Sequence, residues 1–145
     1  IIQVGEYLGT VVGFTLLNTT LKTHENNINI IIPNTEIISK VVYNYTKTPQ
    51  IINSVSVSIS SNNNIDFIKL IENIKMELRT NCKYIINKNN IMVDISDISE
   101  SGTKIDIRFE INSHDYIESR YNVRLLVRNL LSQKHIKLLD NGYTL

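Results

Sequence analysis

Ser54-Val55-Ser56-Val57-Ser58-Ile59-Ser60 is the stretch that decides the fold: every second residue is β-branched and apolar, and every residue between is serine. Side chains alternate across a strand, so Val55, Val57 and Ile59 face one way and the serines the other, as in a half-buried strand. Directly downstream, Asn62-Asn63-Asn64 supplies a cap and Asp66 lies in the first turn of a helix. Phe67, Ile71, Ile74 and Leu78 then recur at helical spacing, and Lys75 and Arg79 complement the dipole at the far end. Two more alternating runs, Ile91, Val93, Ile95 and Ile105, Ile107, Phe109, Ile111, joined through Ser101-Gly102, predict an antiparallel hairpin. Asp115 with Glu118 imitates a capping box, and Val123, Leu126, Val127, Leu130 and Leu131 predict a second helix. A short strand over 135–139 completes the order strand-helix-strand-strand-helix-strand, a ferredoxin-like α/β sandwich with right-handed crossovers.

Upstream the pattern differs. Residues 9–14, 18–22, 28–32 and 40–45 are short β-branched runs separated by Gly or Asn, which predicts a small all-β unit. Asn26-Asn27 sits between two of them, and Asn tolerates the left-handed conformation of a tight turn, so 21–32 reads as a hairpin that Pro33-Asn34 ends. A sheet this small shields little apolar surface alone and is expected to lean on a neighbour or on copies of itself. Pro49 marks the boundary, giving an α+β chain with a β domain over 1–48 and an α/β domain over 49–145.

Composition excludes several classes. Fifteen Lys and Arg against fourteen Asp and Glu leave a formal charge of +1, without the broad positive field that holds nucleic acid or anionic lipid. The one cysteine, Cys82, can form no intrachain disulfide and suits a reducing compartment. No apolar run approaches the roughly 18 residues that span a bilayer. The chain opens at Ile1-Ile2 without an initiator methionine or a leader, as expected of an excised piece. The Asn-Asn runs and the N-x-S/T matches at Asn18 and Asn44 follow from an Asn-rich composition.

Chemistry-bearing residues are sparse. His24, His114 and His135 have no second ligand at zinc spacing, no phosphate-binding glycine pattern occurs, and Cys82 has no motif around it. Asp94, Asp97, Glu100 and Asp106 crowd the hairpin, but the alternation puts Asp94 and Asp106 on its polar side and Asp97 and Glu100 beside the turn, so all four are expected to be solvated. Arg120, Arg124 and Arg128 line one edge of the second helix, where they can bind an anion or an acidic partner or simply face solvent. No enzyme, metal or cofactor is expected.

Val4-Gly5-Glu6-Tyr7, Gly9-Thr10-Val11, Thr19-Thr20-Leu21-Lys22-Thr23, Ile32-Pro33-Asn34-Thr35 and Asn44-Tyr45-Thr46-Lys47 through Pro49 follow one another in an order that resembles the β domain of the small-conductance mechanosensitive channel family. Three departures stand out: the segment between Tyr7 and Gly9 is several residues shorter, trimming the first hairpin; Glu25-Asn26-Asn27 replaces an Asp-Gly turn, and Thr35 a Gly or Ser; and 135–145 lacks a proline-rich turn ahead of Tyr143-Thr144-Leu145, where the family closes its cage with a C-terminal barrel.

The resemblance implies an Sm-like β-barrel followed by a ferredoxin-like domain. It further implies a homo-heptamer whose β domains ring the pore beneath the inner membrane and whose α/β domains form a cytoplasmic vestibule. Gly5, Gly9, Pro33 and Asn34 would shape the barrel turns. Asn44, Tyr45, Thr46, Lys47 and Pro49 would sit at the junction near the side portals. Membrane contact would come only through helices upstream of this chain, the partner would be copies of itself, and a charge near zero predicts weak ion selectivity. Two alternatives remain open at the level of sequence, an RNA-binding module and a small-molecule regulatory module, because both component folds serve such roles. Asp106-Ile107-Arg108-Phe109-Glu110 lacks the paired stacking aromatics of an RNA-recognition strand.

Overall fold

The computed structural model describes residues 1–61 and 64–139. Contacts divide the chain into two compact units, Ile1–Ile51 and Ile52–Leu145.

The first unit holds β1 (Ile2–Val4), β2 (Tyr7–Phe14), β3 (Asn18–Thr23), β4 (Asn29–Pro33), α1 (Asn34–Ser39) and β5 (Val42–Asn44). The strands form one antiparallel sheet in the order β4-β3-β2-β1-β5. The β3–β4 hairpin forms as the Asn run predicts, with Asn27 left-handed at φ 59°. Three residues, Val4, Leu21 and Ile32, make the buried core, with Ile2, Ile30 and Ile37 packed against it. Two elements escape the sequence pattern. β1 is too short to show an alternation, and α1 buries none of its six residues, so it carries no periodic signal. Pro33 does end its strand, and it serves at the same time as the N-terminal flank of α1.

The second unit follows the predicted element order: β6 (Gln50–Ser60), α2 (Phe67–Asn81), β7 (Met92–Ile98), β8 (Gly102–Asn112), a 3-10 turn at Ser113–Asp115 and α3 (Tyr116–Gln133). The sheet order is β6-β8-β7. Val55 and Ile59 of β6 are buried and its serines are not, so the alternation holds. Two positions before Val55, Asn53 extends the inward face. It is 3% exposed, and its amide donates to the Tyr116 carbonyl (2.9 Å) and to Ser119 Oγ (3.1 Å), which meets the requirement that a buried amide be bonded. The β7–β8 hairpin closes through reciprocal backbone bonds between Ser99 and Gly102. Its register pairs Val93 with Ile107 and Ile95 with Ile105.

Both helix starts differ from expectation. Asp66 caps α2 itself, accepting from the Ile68 and Lys69 amides, while Asn62 and Asn63 lie outside the described residues. Asp115 flanks α3 but makes no capping bond; at φ −91° and ψ 13° it lies outside the extended region that aims a capping side chain, and its carboxylate faces His114 at 3.4 Å instead.

The last predicted strand is shorter than expected. Leu138 bridges Ile59, Leu139 N donates to Ser58 O and Ser60 N to Lys137 O, so only 137–139 pair with β6, beyond it in the sheet order. His135 instead ends α3. Its φ is 55°, its N–H donates to Ser132 O and the N–H of Ile136 to Leu131 O, the paired bonds of a Schellman stop. Glycine normally holds this left-handed position because a Cβ is penalised there. A His135→Gly chain is therefore expected to gain about 0.5–1 kcal/mol, part of the relief being lost to the greater freedom of glycine when unfolded. A urea melt reads this as a higher midpoint at unchanged slope, and an equal or lower midpoint would contradict it.

Tyr143-Thr144-Leu145 lies outside the described residues.

Candidate functional site

The residues singled out in the β unit occupy distinct places. Gly5 sits in the two-residue β1–β2 turn at φ 58°, a left-handed position. Gly9 lies inside β2 opposite Thr23, not in a turn, and a Cβ there would sit 2.6 Å from the Lys22 carbonyl oxygen; the strands close only because the side chain is missing.

Asn34 does most of the connecting. Its side-chain amide donates to the carbonyls of Thr15 and Leu16 (3.1 Å each) and its oxygen accepts from Thr19 Oγ1 (2.7 Å). Its backbone N–H reaches Leu17 O at 2.8 Å. One residue at the start of α1 thus clamps the whole β2–β3 loop. The clamp holds that loop with its apolar side chains outward: Phe14 is 83% and Leu16 95% exposed. Replacing Asn34 by Ala removes three side-chain bonds and strands two carbonyls, which is expected to cost about 2 kcal/mol. A thermal melt followed in the β unit checks this, and a shift within error would refute the clamp. Pro-Asn in a sequence signals a turn; that this Asn reaches back to a loop in the preceding hairpin has no local signature.

Asn44 folds the junction. Its Oδ1 accepts from the amides of Thr46 and Lys47 (3.1 and 3.2 Å), an Asx turn. Tyr45 N donates to Ile1 O and Tyr45 Oη to Gln3 Oε1 (3.0 Å), fastening this turn to β1. Pro49 immediately precedes β6. Asn44 to Lys47 are therefore brought together, whereas Gly5, Gly9 and Asn34 serve separate turns and contacts.

The remaining candidates separate on geometry. His24 bonds Thr10 Oγ1 (3.0 Å), and among the described residues no group of three His, Cys, Asp or Glu can hold a metal ion. Burial pushes the Cys82 thiol up, against backbone hydrogen bonds at Tyr84 and Ile85 and the charge of Lys88, so it is an inert core thiol. Asp94 and Asp106 are direct cross-strand partners, a like-charge pair relieved by Arg108 on Asp94 (2.7 Å) and Ser56 on Asp106 (2.6 Å). Asp106 is half-buried by this and not freely solvated. On α3, Arg120 lies over the Tyr116 ring and donates to its hydroxyl (3.1 Å), while its Nε is buried without a partner. Desolvation, then the charge of Arg120, pulls the Arg124 pKa down. No described helix is long and apolar enough to cross a membrane.

The profile of the mechanosensitive ion channel β-domain matches residues 1–47. Among curated relatives, an uncharacterised MscS family protein of Buchnera aphidicola from Acyrthosiphon pisum is 27% identical over 139 residues, covering 94% of this chain and 44% of the relative. Another from the Schizaphis graminum strain is 29% identical over 107 residues, 74% of this chain and 36% of the relative. The chain thus spans less than half the length of these two relatives. Among solved structures, Helicobacter pylori MscS in its closed state superposes with a TM-score of 0.72 at 19% identity over 99% of this chain and 56% of that one. Arabidopsis thaliana MSL1 does so with a TM-score of 0.63 at 20% identity over 99% of this chain and 51% of that one. The fold likeness to these channels runs the length of the chain, the first unit matches the mechanosensitive ion channel β-domain profile, and the chain as a whole is similar to MscS family proteins.

Proposed function

We propose that this chain forms the cytoplasmic vestibule of a tension-gated channel in the inner membrane, a homo-heptameric cage through which ions and small osmolytes pass during osmotic downshock. In this reading an Sm-like domain over 1–48 forms the ring and a ferredoxin-like domain over 49–145 forms the chamber wall. Gly5, Gly9, Pro33 and Asn34 hold the ring fold, and Asn44 to Lys47 with Pro49 set the portal junction. Its role is structural, without catalysis, cofactor or nucleic acid.

One observation carries the reading. In the β unit, apolar side chains lie exposed well beyond its three-residue core, among them Val12, Phe14, Leu16, Ile31 and Ile38. A sheet so under-buried needs apolar neighbours, and identical copies related by rotation supply them. In the second unit, the order of strip 137–139, then β6, β8 and β7 is that of a split βαβ sandwich, which supports the ferredoxin-like assignment. Light scattering after size exclusion tests the assembly: the expected mass is seven copies, falling as the concentration drops toward the apparent dissociation constant, and a monomer at every concentration would overturn it for this chain.

A further inference from the structure

Among the described residues, two surfaces of the second unit hold charged groups that enter no ion pair. The first is the outer stripe of α3, where Tyr121, Arg124, Leu125 and Arg128 follow i, i+3, i+4, i+7 spacing. Tyr121 is 69% exposed and Leu125 41%, with a guanidinium beside each. Arg124 and Arg128 enter none of the ion pairs formed among the described residues. The second is the end of the β7–β8 hairpin, where Ile98 is 73% exposed between the exposed Asp97 and Glu100. Asp97 stands opposite Lys104 in the strand register, yet among the described residues neither it nor Glu100 is in an ion pair.

The first surface sets an apolar centre beside two arginines and the second sets Ile98 between two carboxylates, with Lys104 across the strand from Asp97, so the groups flanking the two apolar centres are of opposite sign. We infer that the Tyr121–Arg128 stripe of α3 docks the Asp97–Glu100 hairpin end of a second copy of this chain, Ile98 packing against Tyr121 and Leu125 while the carboxylates meet Arg124 and Arg128. The contact rests on the homo-oligomeric reading above and names the surfaces that meet in the second unit. It uses a different patch on each copy, so it is heterologous, the kind of contact that repeats around a ring. Apolar centres give it hold, and the opposed charges fix register and exclude like-to-like pairing. Arg124 is already partly desolvated, so pairing with a carboxylate costs it less water than it would cost a fully exposed guanidinium.

Charge reversal tests it. Arg124→Glu with Arg128→Glu makes both surfaces acidic, Asp97→Lys with Glu100→Lys makes both basic, and each chain is measured alone and mixed in equal amounts by light scattering over a concentration series. Each reversed chain is expected to associate about tenfold or more weakly than the parent, and the mixture to recover association at parental concentrations, because the acidic stripe of one then meets the basic hairpin of the other. Strict alternation closes only an even-membered ring, so the recovered mass is that of an open or even-numbered assembly and not of seven copies. Arg128→Glu alone, at an exposed position, repeats the test without disturbing the half-buried Arg124. Recovery on mixing shows that both chains are folded. If the reversed chains assemble as the parent does, or the mixture stays dissociated, this contact is wrong and the oligomeric reading survives; a parent that never associates overturns both.

Discussion

A Gly102→Ala chain is expected to lose about 3 kcal/mol, enough to unfold much of the second unit under mild denaturant. The hairpin turn does not itself demand glycine, because Gly102 is not among the described glycines with positive φ. The requirement comes from outside the hairpin. A Cβ at 102 would collide with the Ile59 carbonyl oxygen of β6, and would lie 3.1 Å from its carbon and 3.0 Å from Leu139 Cδ1. Two of these atoms are backbone, so relief means moving β6 or the hairpin. Gly13→Ala is the control: nothing lies within 4 Å of its Cβ position, and its change is expected to stay within about 0.5 kcal/mol. Urea melts of the two variants compare them directly, and equal midpoints would show that close approach at Gly102 is not limiting.

Leu21→Ala is expected to unfold the β unit. Leu21 is fully buried in a core whose other buried members are Val4 and Ile32, flanked by the partly buried Ile2, Ile30 and Ile37. Truncating a buried leucine costs about 2–5 kcal/mol. A unit with three buried apolar residues has little else to hold it, so the loss approaches its whole stability. Hydrogen exchange should show the β2, β3 and β4 amides losing protection together, and protection unchanged across β3 would mean that the sheet is held by something other than this core.

The second unit was largely legible in the sequence because its strands are long enough for alternation to show, as in Val55 and Ile59 or Ile105 to Ile111, and its helices long enough for a stripe. The errors lie at the ends. Asp66, not the asparagine run, caps α2; Asp115 has the spacing of a capping box without its backbone angles; His135 takes a left-handed stop that sequence rules reserve for glycine. Each was decided by local backbone geometry that composition does not fix. In the β unit, the motifs Val4-Gly5-Glu6-Tyr7 and Ile32-Pro33-Asn34-Thr35 were readable as turns, but their tertiary work was not. Asn34 clamps a loop in the preceding hairpin, and Gly9 admits the Lys22 carbonyl. Such contacts join positions far apart in sequence and leave no periodic trace. The arginine stripe on α3 was visible as spacing; its lack of acidic partners among the described residues and the exposure of Tyr121 and Leu125 came only from the folded surface.

The strip 137–139 that pairs with β6 also bears on how the protein is made. β6 emerges from the ribosome near the start of the second unit, yet Ser60 N donates to the carbonyl of Lys137 and Ser58 O accepts from the amide of Leu139, both made far later. Until synthesis has passed that point, one side of β6 is an unpaired strand edge, with Ile59 still to be roofed, and such edges recruit other nascent chains. Newly made copies are therefore most exposed to mispairing during that interval, and the serines alternating along β6 keep its other face too polar to make that mispairing adhesive.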